Sequence, residues 1–230
     1  MIPLRDDNPT TIQPLVTIAI IALCVLVFLW QISLGGRGFE AAVLSLGAIP
    51  ATLFGDKTLP PELTLVPPTM TVFTSMFLHG GWMHLIGNML YLWIFGNNVE
   101  DAMGHARFVL FYLLCGIAAV LAQALPNADS TVPMIGASGA ISGVLGAYLL
   151  LYPRARVLVL IPIGFYTRLV HLPAMAVLGF WFVLQLINSA LADSRGGGVA
   201  FGAHIGGFIA GMVLLPVFKH RHVRLFAPRH

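Results

Sequence analysis

Six stretches of this 230-residue chain are free of Asp, Glu, Lys and Arg, and they constrain the fold more than any motif does. They lie between Asp7 and Arg37, Glu62 and Glu100, Arg107 and Asp129, Asp129 and Arg154, Arg168 and Asp193, and Arg195 and Lys219. Each holds an apolar segment of about 18–20 residues, the length that crosses a bilayer core as a helix. Charged residues make up only 9% of the chain and hydrophobic ones 58%, whereas a soluble domain carries roughly a quarter charged. The spacing therefore predicts an all-α integral membrane protein of six spans: residues 15–34, 80–99, 108–125, 134–152, 169–191 and 199–218.

A short segment, residues 1–14, precedes the six-span domain of residues 15–218, and a basic tail, 219–230, follows. The first apolar run is full length, follows Asp6 and Asp7, and has no small-x-small cleavage pattern, so it reads as a span rather than a leader. Residues 35–78 form a long first connection. Phe39, Val43, Leu44, Leu46, Ile49, Leu53 and Phe54 recur there at roughly helical spacing, which suits a segment half-immersed at the interface. Val157 to Ile161 reads as a short strand or re-entrant piece. Residues 193–198 form a glycine-rich loop.

Counting Lys and Arg in alternate connections gives orientation. Nine (Arg5, Arg107, Arg154, Arg156, Arg168, Lys219, Arg221, Arg224, Arg229) fall on the side of the termini, against Arg37, Lys57 and Arg195 on the other. Both termini are expected in the cytoplasm of a multi-pass cell-membrane protein. The net charge of +3 does not indicate nucleic acid, because the basic residues sit at span ends and form no patch interleaved with aromatics. Cys24 and Cys115 lie inside spans and show no metal or redox spacing.

Spans two, four and six then enter from the outer face, and His84, Ser138 and His204 each lie about five residues past the point of entry. At 1.5 Å per residue that is one common depth, roughly 8 Å below the interface. Small residues let these helices approach: Gly139, Gly143 and Gly146 on span four, and Gly202, Gly206, Ala203, Gly207 and Gly211 on span six. A serine hydroxyl becomes a nucleophile when a base accepts its proton, and histidine titrates in the right range. No Asp or Glu lies within a span, so Ser138 and His204 are expected to act as a dyad, with the ring held by packing. His84 and Asn88, one turn apart on one face, are candidate oxyanion donors beside the Ser138 backbone N–H. A metal site built from His79, His84 and His204 is the competing active reading, but it lacks a His-Glu-x-x-His pattern and an in-span carboxylate. No metal or organic cofactor is expected.

At these residues the chain resembles the rhomboid intramembrane serine proteases. Gly-Ala-Ser-Gly at 136–139, Ala-His-x-x-Gly-x-x-x-Gly at 203–211, His79-Gly-Gly-Trp-Met-His84-Leu-Ile-Gly-Asn88, and Glu100-x-x-x-Gly104-x-x-Arg107 match the family's motifs. The resemblance implies a six-helix bundle with a half-buried first loop and a water-filled cavity open outward. It implies Ser138 as nucleophile, His204 as base, and His84 with Asn88 assisting the oxyanion. The implied partners are the lipid bilayer and membrane proteins whose transmembrane segments are cut, with span five and the 193–198 loop as gate and cap. Two positions depart from the pattern of some members: Ser142 stands where an aromatic residue stacks on the histidine, and Met70-Thr71 where the first loop carries Trp-Arg. A rhomboid-like protein that binds membrane clients without cutting them is the alternative reading.

Overall fold

The computed structural model of the chain describes residues 1–163, 166–191 and 200–226. A strand, β1 (Ile2–Asp6), leads into α1 (Leu15–Ser33). The first connection is built from α2 (Gly35–Leu46), α3 (Pro50–Leu53) and α4 (Pro68–Thr74), with short 3-10 turns at Pro61–Leu63 and Ser75–Phe77. Then come α5 (Trp82–Met103), α6 (His105–Ala124) and α7 (Ser138–Leu151), a β2 (Arg156–Ile163) and β3 (Tyr166–Pro173) hairpin, α8 (Ala174–Leu191) and α9 (Phe201–Phe218). The expected 193–198 loop lies outside the described residues.

Among the described residues, four helices, α1, α6, α8 and α9, are long and apolar enough to cross a membrane. Several such helices in one chain make this a multi-pass membrane protein. The two remaining expected spans differ in instructive ways. Helix α5 has 22 residues but carries Glu100 and Asp101 in its last turn. Helix α7 has only 14 residues, roughly 21 Å of helix.

Helix α7 starts later than the charge-free stretch suggests because residues 130–136 are engaged elsewhere. Ala48 and Met134 exchange both backbone hydrogen bonds, Ala51 N donates to Ser130 O, and Gly136 N donates to Ser75 O. Gly136 then turns the chain with φ +118°, a conformation that only glycine adopts readily. The apolar first connection thus packs against the approach to α7 rather than looping free.

The fold is mostly helical, not all-α: β1, β2 and β3 form an antiparallel sheet in that order. Residues 157–161 are a strand, as one of the two readings had it. The pairing continues through Pro173, with Val157 opposite Leu172 and Val159 opposite Val170. Helix α8, the fifth expected span, consequently begins at Ala174 and not at Leu169. Strand pairing between residues 2–6 and 157–160 is a long-range event with no local signature in the N-terminal segment.

Helix α7 is the centre of the bundle, with nearly every residue from Gly139 to Tyr148 buried. It lies against α9 through bare backbone. A Cβ added to Gly207 would land on Gly139 O, one on Gly211 would land on Gly143 O, and one on Gly146 would land on Phe208 O. Gly202 and Gly206 face α6 instead, meeting Gln123 and Ala122. One side of α9 is therefore keyed to α7 and another to α6, both by absence of side chain. Helices α1 and α8 sit outside this core and turn Leu23, Leu26, Leu29, Phe180, Val183 and Ile187 outward.

Candidate active site

The helices that carry the polar residues begin at one end of the bundle. Ser138 is the first residue of α7, His204 the fourth of α9, and His84 the third of α5. Ser138 therefore sits at a helix N-terminus rather than a few residues inside a helix. The first N–H groups of a helix have no intrahelical partner, so the start of α7 presents unused backbone donors beside the hydroxyl.

The glycine-keyed contact between α7 and α9 brings His204 Nε2 to 2.8 Å from Ser138 Oγ. Ser138 does not bond back to its own helix, the commonest fate of a membrane serine. Ser142 does so, donating to Ser138 O at 2.6 Å. The His204 ring is 9% exposed. Trp181 lies tilted against it with centroids 5.9 Å apart, and Phe201 meets it edge-on at 6.4 Å. An aromatic support for the ring is thus present, but it comes from α8 and not from position 142.

On the far edge of the ring, His204 Nδ1 lies 2.8 Å from Gln185 Oε1. Gln185 belongs to α8 and is 8% exposed. Sequence reasoning missed both Gln185 and Trp181. The signal for Gln185 was available: it is an amide in the middle of an apolar span, and the argument that selected Ser138 and His204 applies to it equally. Trp181 gave no such signal, because an aromatic in a span is ordinary.

His84 and Asn88 converge on Gly136, two residues before Ser138. A Cβ built on Gly136 would lie 2.7 Å from His84 Nε2 and 3.7 Å from Asn88 Nδ2. Gly80 N donates to His84 Nδ1 at 3.3 Å, so that nitrogen is the acceptor and Nε2 carries the proton. Asn88 is buried and its Nδ2 has no hydrogen-bond partner. Two N–H donors thus point at the bend that carries Ser138, one of them unsatisfied, which is uncommon for a buried polar group. Glycine at 136 serves twice, as the left-handed bend and as the space into which His84 reaches.

His79 stands next to this pair without joining it. Its ring centroid is 5.2 Å from that of His84. Its backbone N donates to Gln31 Oε1 at 3.0 Å, tying α1 to the turn before α5. Its Nδ1 lies 3.3 Å from Phe77 O, which can only accept, so Nδ1 carries the proton. Among the described residues, no group of three or more His, Cys, Asp or Glu side chains has metal-site geometry.

Comparison with known proteins adds an independent line. The Rhomboid domain family matches residues 68–221. The chain is 30% identical to "Rhomboid protein 1, mitochondrial" of Saccharomyces cerevisiae over 182 residues, covering 76% of this chain and 50% of that one. It is 32% identical to "Rhomboid protease GluP" of Bacillus subtilis over 199 residues, 86% of this chain and 34% of the relative. It is 24% identical to "Rhomboid protease GlpG" of Haemophilus influenzae, covering 87% of this chain and 89% of the other. The chain therefore spans about half the length of the yeast relative and a third of the Bacillus one.

Proposed function

The chain belongs to the rhomboid family, and from that premise we propose that it is an intramembrane serine endopeptidase acting on transmembrane segments of other membrane proteins. The observation that carries the reading is the 2.8 Å approach of His204 Nε2 to Ser138 Oγ. Those two atoms have no structural need of each other. They come from residues 66 apart, and burying them together without a task costs solvation that an apolar pair would not.

The chemistry follows from the geometry. Ser138 Oγ attacks the carbonyl carbon of the scissile bond while His204 Nε2 takes the hydroxyl proton. The carbonyl oxygen becomes an oxyanion. His84 Nε2–H, Asn88 Nδ2 and the free N–H groups at the start of α7 are the donors that meet it. The C–N bond breaks as the His204 imidazolium returns the proton to the leaving amine, and the acyl group stays on Ser138. Water, deprotonated by His204, then attacks the acyl carbon and releases Ser138 with its proton restored. Each step uses groups of this chain and water, and no cofactor enters.

The wider architecture belongs to the same proposal. Six spans are counted when α5 and the shorter α7 are included, within a domain of residues 15–218. The termini face the cytoplasm, by the nine-to-three distribution of basic residues. The site then opens to the outer face, with the packed 35–78 segment at that interface. A substrate helix has to unwind locally before its carbonyl can reach Ser138, so helix-breaking residues near the cut are expected. A client-binding relative without catalysis would have no use for both Ser138 and His204.

The test is purified protein with a fluorophosphonate probe and, separately, a model transmembrane substrate. Wild type is labelled and cuts. Ser138→Ala and His204→Ala do neither, at unchanged yield of folded protein. Equal cleavage by Ser138→Ala would overturn the reading.

A further inference from the structure

The hydrogen bonds around His204 select one tautomer of its ring, and they do so through α8. Gln185 Nε2 donates to Trp181 O, one turn back on the same helix, at 3.4 Å. That carbonyl can only accept, so the amide nitrogen must face it and the amide oxygen must face His204. Oxygen Oε1 in turn can only accept, so the ring nitrogen 2.8 Å away, Nδ1, must carry the hydrogen. Nε2 is then bare, and at 2.8 Å it accepts from the Ser138 hydroxyl. The direction of every bond in the chain Trp181 O, Gln185, His204, Ser138 follows from its first member.

The geometry points to Gln185 as the positioning residue of this site, holding His204 as the Nδ1–H tautomer so that Nε2 is the base. This rests on the proteolytic reading above and adds a third member to its serine and histidine. The other tautomer would place a hydrogen on Nε2, against Ser138, and the ring would have no lone pair to offer there. Trp181 acts with Gln185: its ring packs on the imidazole while its carbonyl orients the amide. One helix turn thus sets both the angle and the protonation of the base. A neutral amide suits the surroundings better than a carboxylate would, because a buried anion beside a neutral ring has no permanent counter-charge to offset its desolvation. The amide keeps its bond when the ring becomes imidazolium during attack. It takes no proton at any step.

Wild-type protein with 15N-labelled histidine is the direct test, since nitrogen shifts separate protonated from bare ring nitrogens without requiring turnover. His204, assigned by its loss in His204→Ala, is expected to show a protonated Nδ1 and a bare Nε2 at neutral pH. A wild-type ring protonated on Nε2 overturns the proposal outright. Gln185→Leu keeps the volume and removes the acceptor. Its kcat on a fluorogenic transmembrane peptide is expected to fall roughly tenfold to hundredfold, with KM within about twofold of wild type. Its His204 signal should become a mixture of tautomers. Gln185→Glu, which restores an acceptor, should recover the Nδ1–H form and most of the rate. A Gln185→Leu protein with wild-type kcat and an unchanged tautomer also refutes the role. Failure of the proteolytic reading itself registers separately, as cleavage that survives Ser138→Ala.

Discussion

The two ends of the helical bundle are fastened by opposite kinds of chemistry. At the end where α5, α7 and α9 begin, the polar contacts run through hydroxyl, amide, imidazole and backbone groups: Ser138, His204, Gln185, His84, His79 and Gln31. At the other end they run through carboxylates. Glu100, fully buried, accepts from Val16 N at 2.9 Å, Thr17 N at 2.8 Å and Thr17 Oγ1 at 2.7 Å, and meets His105 Nδ1 at 2.6 Å. It thereby caps the start of α1 from another helix, where a negative charge meets free N–H groups and the positive end of the helix dipole. Asp101 accepts from Thr11 N, Thr11 Oγ1 and Ile12 N in the segment that leads into α1, Asp7 accepts from Arg156 N, and Asp6 accepts from the Tyr148 hydroxyl. His84 and Glu100 share one helix, 16 residues or roughly 24 Å apart. The difference teaches that stability and chemistry are kept in separate places. On the proposed reading, carboxyl groups and their hydrogen bonds hold the scaffold end, and the polar network proposed to react contains no Asp, Glu, Lys or Arg, so that the oxyanion and imidazolium formed together there do not compete with a standing charge.

The glycine seam joins the two ends, and breaking it should abolish both. In Gly211→Leu the new Cβ falls on Gly143 O, a backbone atom with no rotamer to move into. Overpacking a core costs about 1–3 kcal/mol where side chains can adjust, and here they cannot, so the loss should exceed that range. Folded protein should be nearly absent after solubilisation. Val213→Ala, on the same helix with its side chain 67% exposed, should unfold like wild type.

The carboxylate end should be separable from the site. Glu100→Ala leaves the first N–H groups of α1 without their acceptor and should cost roughly 3 kcal/mol of stability, given about 1.5–3 for a single hydrogen bond to a charged group. Cleavage per folded molecule should stay within about twofold. A Glu100→Ala protein that is stable but inactive would show that the two ends are not independent.

The opposite dissociation is expected of Gly136→Ala. Its φ of +118° is a strained backbone for alanine, and the methyl group meets His84 Nε2, the end of a side chain that can swing aside. Cleavage should fall by up to about a hundredfold, the scale of losing one oxyanion donor. Thermal unfolding should shift less than it does in Glu100→Ala.

Much of the site end was legible because a polar residue inside an apolar run stands out, and because equal distances from span starts put His84, Ser138 and His204 at one level. The carboxylate end was not. Glu100 and Asp101 fall just past the expected end of span two at residue 99, and nothing in the local sequence says that a helix terminus 84 residues away needs an acceptor. Ile2 to Asp6 carried no strand signal because its partner lies near residue 158. The apolar pattern starts α7 too early because residues 134–137 are as apolar as the helix they precede, and only the backbone bonds to Ala48 and Ser75 show that they are spoken for. What sequence missed is in each case a long-range hydrogen bond.

The smallest effect, and the finest test of the contrast, is the pH response of the carboxylate end. Burial raises the Asp6 carboxyl from 3.8 to about 6, against a partly offsetting hydrogen bond from Tyr148. An acid that binds its proton more tightly when folded stabilises the protonated fold. That contribution is complete below about pH 3.8, the value for the unfolded chain, and is lost as pH rises through about 6. Asp6 is only partly buried, so with solvent screening the swing should be on the order of 1 kcal/mol rather than the full value of the shift. Unfolding in detergent across pH 4–7 should therefore show a shallow decline that Asp6→Asn flattens. Because Asp6 lies at the other end of α7 from Ser138, Asp6→Asn should leave the pH dependence of cleavage per folded molecule where it was. A shift in that profile would mean that ionisation at the scaffold end is felt ten residues along α7, and that the neutral end owes its neutrality to more than distance.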